Sequence, residues 1–136
     1  MIDPENVPPV SDNELLARFV TQSRQFRSSD QNVKQDAFIP HPRLELSVTR
    51  HLLATEAEIW EVGSAVAQGQ GKPMYGRADL SALSCRAQSL RVEATPVDRN
   101  PNHADLAGWP MAKQDQKAIA LKLAASATFV ANPNAI

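Results

Sequence analysis

The residues best suited to chemistry in this sequence are two histidines. His103 stands in the stretch DRNPNHADLAGWP, residues 98–110, with Asn102 before it and Asp105 two residues after it. His51 ends an alternating stretch earlier in the chain. Because an imidazole changes charge near neutral pH, it can move a proton or donate a hydrogen bond to an anion. His51 and His103 are therefore the candidate catalytic residues.

Four polar residues near these histidines are candidates for holding a ligand. Arg77 follows a glycine in YGRADL, where the backbone can approach a ligand closely and the guanidinium can clamp a carboxylate or phosphate. An alternative is a structural ion pair of Arg77 with Asp79, Glu45 or Glu93. The candidate ligand-binding residues are Arg50, Arg77, Asn102 and Asp105.

The stretch at 98–110 has a plainer interpretation as a connector. Pro101 and Pro110 stiffen it, and its asparagines and aspartates can satisfy their own backbone. In this interpretation the stretch crosses the end of a sheet and carries Trp109 into the core. The stretch also precedes a predicted helix, whose N-terminus attracts anions. Both interpretations remain open at this stage.

The sequence predicts no metal and no cofactor. His41, His51 and His103 have no local ligand spacing, and the chain contains no CxxC, HExxH, glycine-rich phosphate loop or GxSxG pattern. Cys85 lies among apolar residues and is expected to be a buried, inert thiol. We expect the protein to fold without a metal or a disulfide.

Length and composition indicate one soluble domain. A chain of 136 residues with 43% hydrophobic and 21% charged residues is ordinary for a globular domain. The formal net charge of −1 argues against wholesale nucleic-acid binding. The acidic start has no signal-peptide pattern, and no apolar run is long enough to cross a membrane. With one cysteine, the chain is expected to be cytoplasmic.

Hydrophobic periodicity predicts the elements that must position these residues. Alternation predicts strands at 44–51 and 90–95. A capping box, Thr55 with Glu58, begins a helix that the glycines of GQG end. The last helix lies in MAKQDQKAIALKLAASATF.

Three segments give less direct patterns. The segment 12–25 begins with a capping-box pattern and is predicted to be a helix, although LLARFV within it also suits a short buried strand. A short strand is expected at 73–77, followed by a short helix that Asp79 caps.

Together these elements predict an α+β domain with a small sheet of about three strands, covered by three to four helices. The domain spans 11–130, between a flexible N-terminal arm at 1–10 and a C-terminal tail at 131–136. The predicted core residues are Leu44, Leu46, Val48, Trp60, Val92 and Ile119.

Several blocks of the chain occur together in a recognisable order. The blocks ELSVTRH, EIWEVG, YGRADL and NPNHADLAGWP resemble those of a family of small uncharacterised bacterial proteins. The resemblance extends from LARFV to the last helix. It implies a relationship but no activity, so the function has to be argued from the residues.

Two functions are consistent with these residues. One is a non-catalytic module that binds a protein partner or a small anionic ligand. The alternative is a small enzyme acting on a phosphate or ester, in which His51 and His103 serve as acid and base and Arg77 clamps the anion. The sequence favours the binding module, because the common nucleophile and cofactor motifs are missing.

Overall fold

The computed structural model describes residues 1–40 and 42–134, so His41 and the last two residues of the predicted tail lie outside it. The strands are β1 (Leu15–Val20), β2 (Phe26–Arg27), β3 (Asn32–Val33), β4 (Leu46–Arg50), β5 (Gly76–Ser81), β6 (Arg91–Ala94), β7 (His103–Ala107) and β8 (Thr128–Ala131). The helices are α1 (Glu56–Gln70), α2 (Ala82–Arg86) and α3 (Lys113–Ser126), with 3-10 turns at Ser23–Gln25 and Gln35–Phe38.

The class α+β is confirmed, but the predicted sheet of about three strands is wrong. Six strands form one antiparallel sheet in the order β6-β7-β4-β1-β5-β8, and β2 with β3 forms a separate two-stranded ribbon. Three α-helices accompany the sheets in the described part of the chain. The sheet was underestimated because β1, β7 and β8 lie in segments that were predicted to be a helix, a connector and the end of a helix.

The central strand β1 replaces most of the helix predicted at 12–25. Four of its six side chains are buried, on both faces of the sheet, so its sequence LLARFV is apolar except for Arg18. Such a run does not distinguish a buried strand from a helix by period alone. The alternative interpretation, a short strand, is the correct one.

Strands β7 and β8 lie where a connector and the end of a helix were predicted. The HADLA segment of β7 alternates between the polar residues His103 and Asp105 and the apolar residues Ala104 and Leu106, which lie in the core. β8 follows α3 after one residue and continues the sheet beyond β5. The stretch 98–110 is thus partly a strand.

The elements predicted for the middle of the chain are present, but their first and last residues differ from the predicted ones. Thr55 and Glu58 form the capping box of α1, and Gly71 ends this helix with a left-handed φ of 64°. β4 begins at Leu46 rather than at Leu44, because Leu44 has a φ of 61° that interrupts an extended strand. Ser81, not Asp79, caps α2.

The main core lies on one face of the sheet, under α2, α3 and the turn at Gln35–Phe38. Four residues expected inside are buried, and three are half-buried. The buried ones are Leu46, Val48, Val92 and Trp109, and the half-buried ones are Leu44, Trp60 and Ile119.

A smaller core lies on the opposite face, where α1 covers only part of the sheet. Ile59 of α1 packs on Ala17 and Phe19 of β1. The helix approaches closely because Gly63 has no side chain: a Cβ there would lie 2.7 Å from the Phe19 ring. On this face, the strands β4, β7 and β6 present polar side chains, so this half of the sheet is suited to contact with a ligand.

Residues 1–10 contact the domain at several points. Ile2 and Val10 are buried, and the Ile2 amide donates to Oδ1 of Asn102 at 2.8 Å. The flexibility predicted for this arm stays a prediction, but its packing was not expected from its three prolines.

Candidate functional site

His51 and Arg77 lie in one charged cluster under the N-terminal end of α1. Nε2 of His51 is 2.9 Å from Oδ1 of Asp79. Nε of Arg77 donates to both oxygens of Asp79 at 3.1 Å, and its two terminal nitrogens donate to the Glu56 carboxylate at 2.8 and 3.0 Å. The guanidinium also lies 4.8 Å from the centre of a ring of Trp60.

This cluster leaves Arg77 little capacity to bind an anion. Two carboxylates already neutralise its charge, and each of its three nitrogens donates to one of them. The hydrogen bond from Arg77 holds the pKa of Glu56 below its usual value, which keeps that carboxylate charged. The structural alternative, an ion pair with Asp79, describes Arg77 correctly.

Arg50 and Asn102 are buried and hold the arm rather than face solvent. Arg50 is 0% exposed, donates to both oxygens of Glu14 at 2.7 and 2.8 Å, and donates to the carbonyls of Pro8 and Pro9. Burial alone raises the pKa of Glu14, but the hydrogen bonds from Arg50 and the Ser11 backbone outweigh it and lower that pKa. Glu14 therefore stays charged opposite Arg50.

Asn102 is also 0% exposed, and its polar atoms are used inside the protein. Its Nδ2 donates to the carbonyls of Arg50 and Leu52 at 2.7 and 2.9 Å, while its Oδ1 accepts from Ile2. Two residues predicted to bind a ligand, Arg50 and Asn102, thus connect the arm to β4.

The two histidines point in opposite directions along the sheet. His51 reaches toward Asp79 on β5, whereas Nδ1 of His103 lies 2.9 Å from both the hydroxyl and the carbonyl oxygen of Thr95, beyond β6. Asp105 lies on the same face of the sheet as His103, and its partner on β4 is Ser47. His51 and His103 therefore have hydrogen-bond partners in different parts of the sheet, and it is His51 that shares a cluster with Arg77.

His103 instead lines a cleft that opens where β1 and β4 separate. These strands pair at two positions only, Leu16 with Arg50 and Ala17 with Thr49, and beyond them a cavity of about 400 Å³ lies between the sheet and α1. Its polar lining includes Arg18, Thr21, Thr49, Gln70, Asn100 and His103. A volume of this size suits a small organic molecule.

Arg18 is the functional candidate that the sequence analysis missed. It extends from β1 into the gap, where Nε donates to the carbonyl of Ala37 at 2.9 Å and Nη1 to that of Ser47 at 3.0 Å. Burial lowers its pKa to about 10, because the charged form loses solvation there. Among the described residues, no carboxylate forms an ion pair with it. An arginine inside the apolar run LLARFV was the available signal.

A second groove is larger but offers less to a ligand. It measures about 920 Å³ and lies between the β2–β3 ribbon and the end of α3. Two of its charged residues, Arg27 and Asp30, pair with each other and are exposed. We therefore take the cleft beside Arg18 as the candidate site.

Metal and membrane features can be stated for residues 1–40 and 42–134. No group of three or more His, Cys, Asp or Glu side chains in these ranges could hold a metal ion. His41, considered with the other histidines as a metal ligand, lies outside them. Within the same ranges, no helix has the length and apolar character needed to span a bilayer.

Comparison with known proteins adds no assignment. No family model, curated protein or solved structure matches the chain. The resemblance to small bacterial proteins therefore stays a prediction.

Proposed function

We propose that this protein is a small-ligand-binding module whose site is the cleft between β1, β4 and α1. The observation that carries the proposal is the cleft itself, which opens at a break in strand pairing and joins hydrogen-bonding side chains to apolar ones such as Phe19 and Val66. Binding sites for small molecules combine these two features.

Hydrogen bonds within the protein hold several polar side chains of the cleft in place. Nδ2 of Asn100 donates to the Thr49 hydroxyl at 3.2 Å, and Thr95 holds His103. Thr49 and Asn100 are buried, which limits their rotation. Fixed donors and acceptors lower the ordering cost of binding a ligand.

Two further parts of the proposal rest on the sequence. We place the protein in the cytoplasm, because Cys85, its one cysteine, is a buried free thiol. We also infer a bacterial source from the resemblance of its sequence blocks. The enzyme alternative is weaker than the binding module, since Arg77 is already neutralised and His51 and His103 have separate partners.

The experiment is a titration of isotope-labelled protein with a panel of small carboxylates, amines, amides and sugars, followed by amide chemical shifts. We expect at least one class to shift amides of β1 and β4 around the cleft. A Val66→Trp substitution fills the cleft from α1 and should remove these shifts.

Ala65 provides the matched control for the filling variant. It is the neighbouring helix residue, it is exposed, and it lies outside the cleft lining. Ala65→Trp should leave the titration unchanged. Shifts that fall elsewhere on the surface, or that survive in Val66→Trp, would refute the site.

A further inference from the structure

We infer that the cleft takes a small organic monocarboxylate, whose carboxylate is bound by Arg18 and whose apolar body lies against Phe19, Ile39 and Val66. This inference rests on the proposed function and specifies its ligand. It is carried by the position of Arg18, a half-buried arginine that lines the cleft and has only backbone carbonyls as hydrogen-bond acceptors among the described residues.

The guanidinium of Arg18 has donors to spare. A guanidinium carries five N–H groups, and the two hydrogen bonds to Ala37 and Ser47 use one on Nε and one on Nη1. The end of the group, formed by Nη1 and Nη2, keeps the paired N–H groups that match a carboxylate. A ligand bound there meets a half-buried cation that forms no ion pair with a described carboxylate.

The charge of the cleft favours a monoanion over a phosphate dianion. Arg18 and Arg43 are positive and Glu45 is negative, so the described lining has a net charge of +1 with His103 neutral. A monocarboxylate neutralises this charge, whereas a dianion leaves an excess negative charge beside Glu45. Phosphate sites often use a helix N-terminus, whereas α1 presents its C-terminal half, with Val66 and Gln70, to the cleft.

The apolar part of the lining indicates the rest of the ligand. Phe19 extends from β1, Ile39 from the segment before β4, and Val66 from α1, so three elements supply apolar surface to one cavity. Burying apolar area contributes roughly 25 cal/mol per Å². An aromatic or short aliphatic acid therefore fits the cleft better than acetate or a sugar acid.

The test compares carboxylates with their neutral amides on the unmodified protein. Benzoate and hexanoate are titrated beside benzamide and hexanamide, with inorganic phosphate as a separate arm, and dissociation constants are read from the amide shifts of β1 and β4. We expect each acid to bind at least about tenfold more tightly than its amide, because a hydrogen-bonded charge is lost in the amide.

Three variants assign this preference to a residue. Arg18→Met should remove the preference of acid over amide, and Arg18→Lys should reduce it, because lysine keeps the charge but not the paired donors. Arg24→Met is the matched control: it removes an equal charge from an exposed arginine outside the cleft lining and should weaken the acids less than about threefold. If Arg18→Met does not fold, Arg18→Lys and the comparison of acids with amides still decide the question.

The outcomes separate this inference from the proposed function. Equal binding of acids and amides in the cleft, or tighter binding of phosphate, overturns the monocarboxylate but leaves a binding module. A preference that survives Arg18→Lys unchanged, or falls equally in Arg24→Met, overturns the role of Arg18. Absence of binding by every class in the panel overturns both.

Discussion

Arg77 and Arg18 both extend into the protein from adjacent strands, yet they differ in what neutralises them. Arg77 is 3% exposed and contacts two carboxylates and the face of Trp60. Arg18 is half-buried and donates to two backbone carbonyls, with a cleft beside it. A buried charge that is paired with counterions has a structural role. A partly buried charge without a counterion can instead bind an anionic ligand.

The largest effect should come from removing Arg77. Arg77→Met leaves the buried Asp79 without its guanidinium, which should lower the free energy of unfolding by about 3–5 kcal/mol. Urea unfolding measures the change. Arg91→Met is the control, because the ion pair of Arg91 with Glu93 is exposed and its loss should cost at most about 1 kcal/mol. Equal effects of the two variants would contradict a structural role for the cluster.

A smaller effect on stability is expected at Arg18. Arg18→Met leaves the carbonyls of Ala37 and Ser47 without a donor but also removes a charge that has no counterion, so the loss should be about 1–2 kcal/mol. The same unfolding experiment checks it. A loss as large as that of Arg77→Met would show that Arg18 is structural too, and the contrast between the two arginines would fail.

Acid should weaken the Arg77 cluster by a still smaller amount. The pKa of Glu56 lies below its ordinary value of 4.5, so its contribution is complete above that value and is lost as the pH falls through the lowered pKa. Glu56 is largely exposed, which limits this contribution to below about 1 kcal/mol. In Glu56→Gln, the free energy of unfolding should therefore fall slightly less steeply below pH 4.5. Urea unfolding at a series of pH values measures this difference.

The smallest change in stability is expected at His103. His103 is half-buried, and its ring bonds to Thr95 at the edge of the cleft. His103→Ala should shift the melting temperature by only a few degrees while changing the affinity of a cleft ligand. A variant that unfolds would make His103 a structural histidine, and unchanged affinity would remove it from the site.

Some elements could be predicted because their signals are local. The capping box at Thr55 and the alternation through Leu46 and Val48 depend only on neighbouring residues, and both correspond to observed elements. β1 was misassigned because a strand buried on both faces has no period to detect. The apolar side chains of β1 are buried by residues that are distant from it in the sequence.

The candidate site was harder to predict than the fold. The sequence analysis selected His51, Arg50 and Arg77 as candidates. Each has a partner far along the chain: Asp79 for His51, Glu14 for Arg50 and Glu56 for Arg77. Arg18 was missed because its importance depends on two strands separating, which no spacing of residues expresses. Residue type thus indicated some of the buried charges. Only the three-dimensional contacts showed which of these charges has a counterion.

The anchoring of the arm on Arg50 and Asn102 has a consequence for how the chain folds. Ile2 and Asn102 are separated by 100 positions, so their hydrogen bond closes one of the longest loops in the molecule. Contacts between distant residues form late, because the ends of a long loop must first be brought together. The arm can dock only after β4 and β7 have paired, since Asn102 must already hold the carbonyls of Arg50 and Leu52. We therefore expect docking of residues 1–10 to be a late step of folding and release of this segment to be an early step of local unfolding.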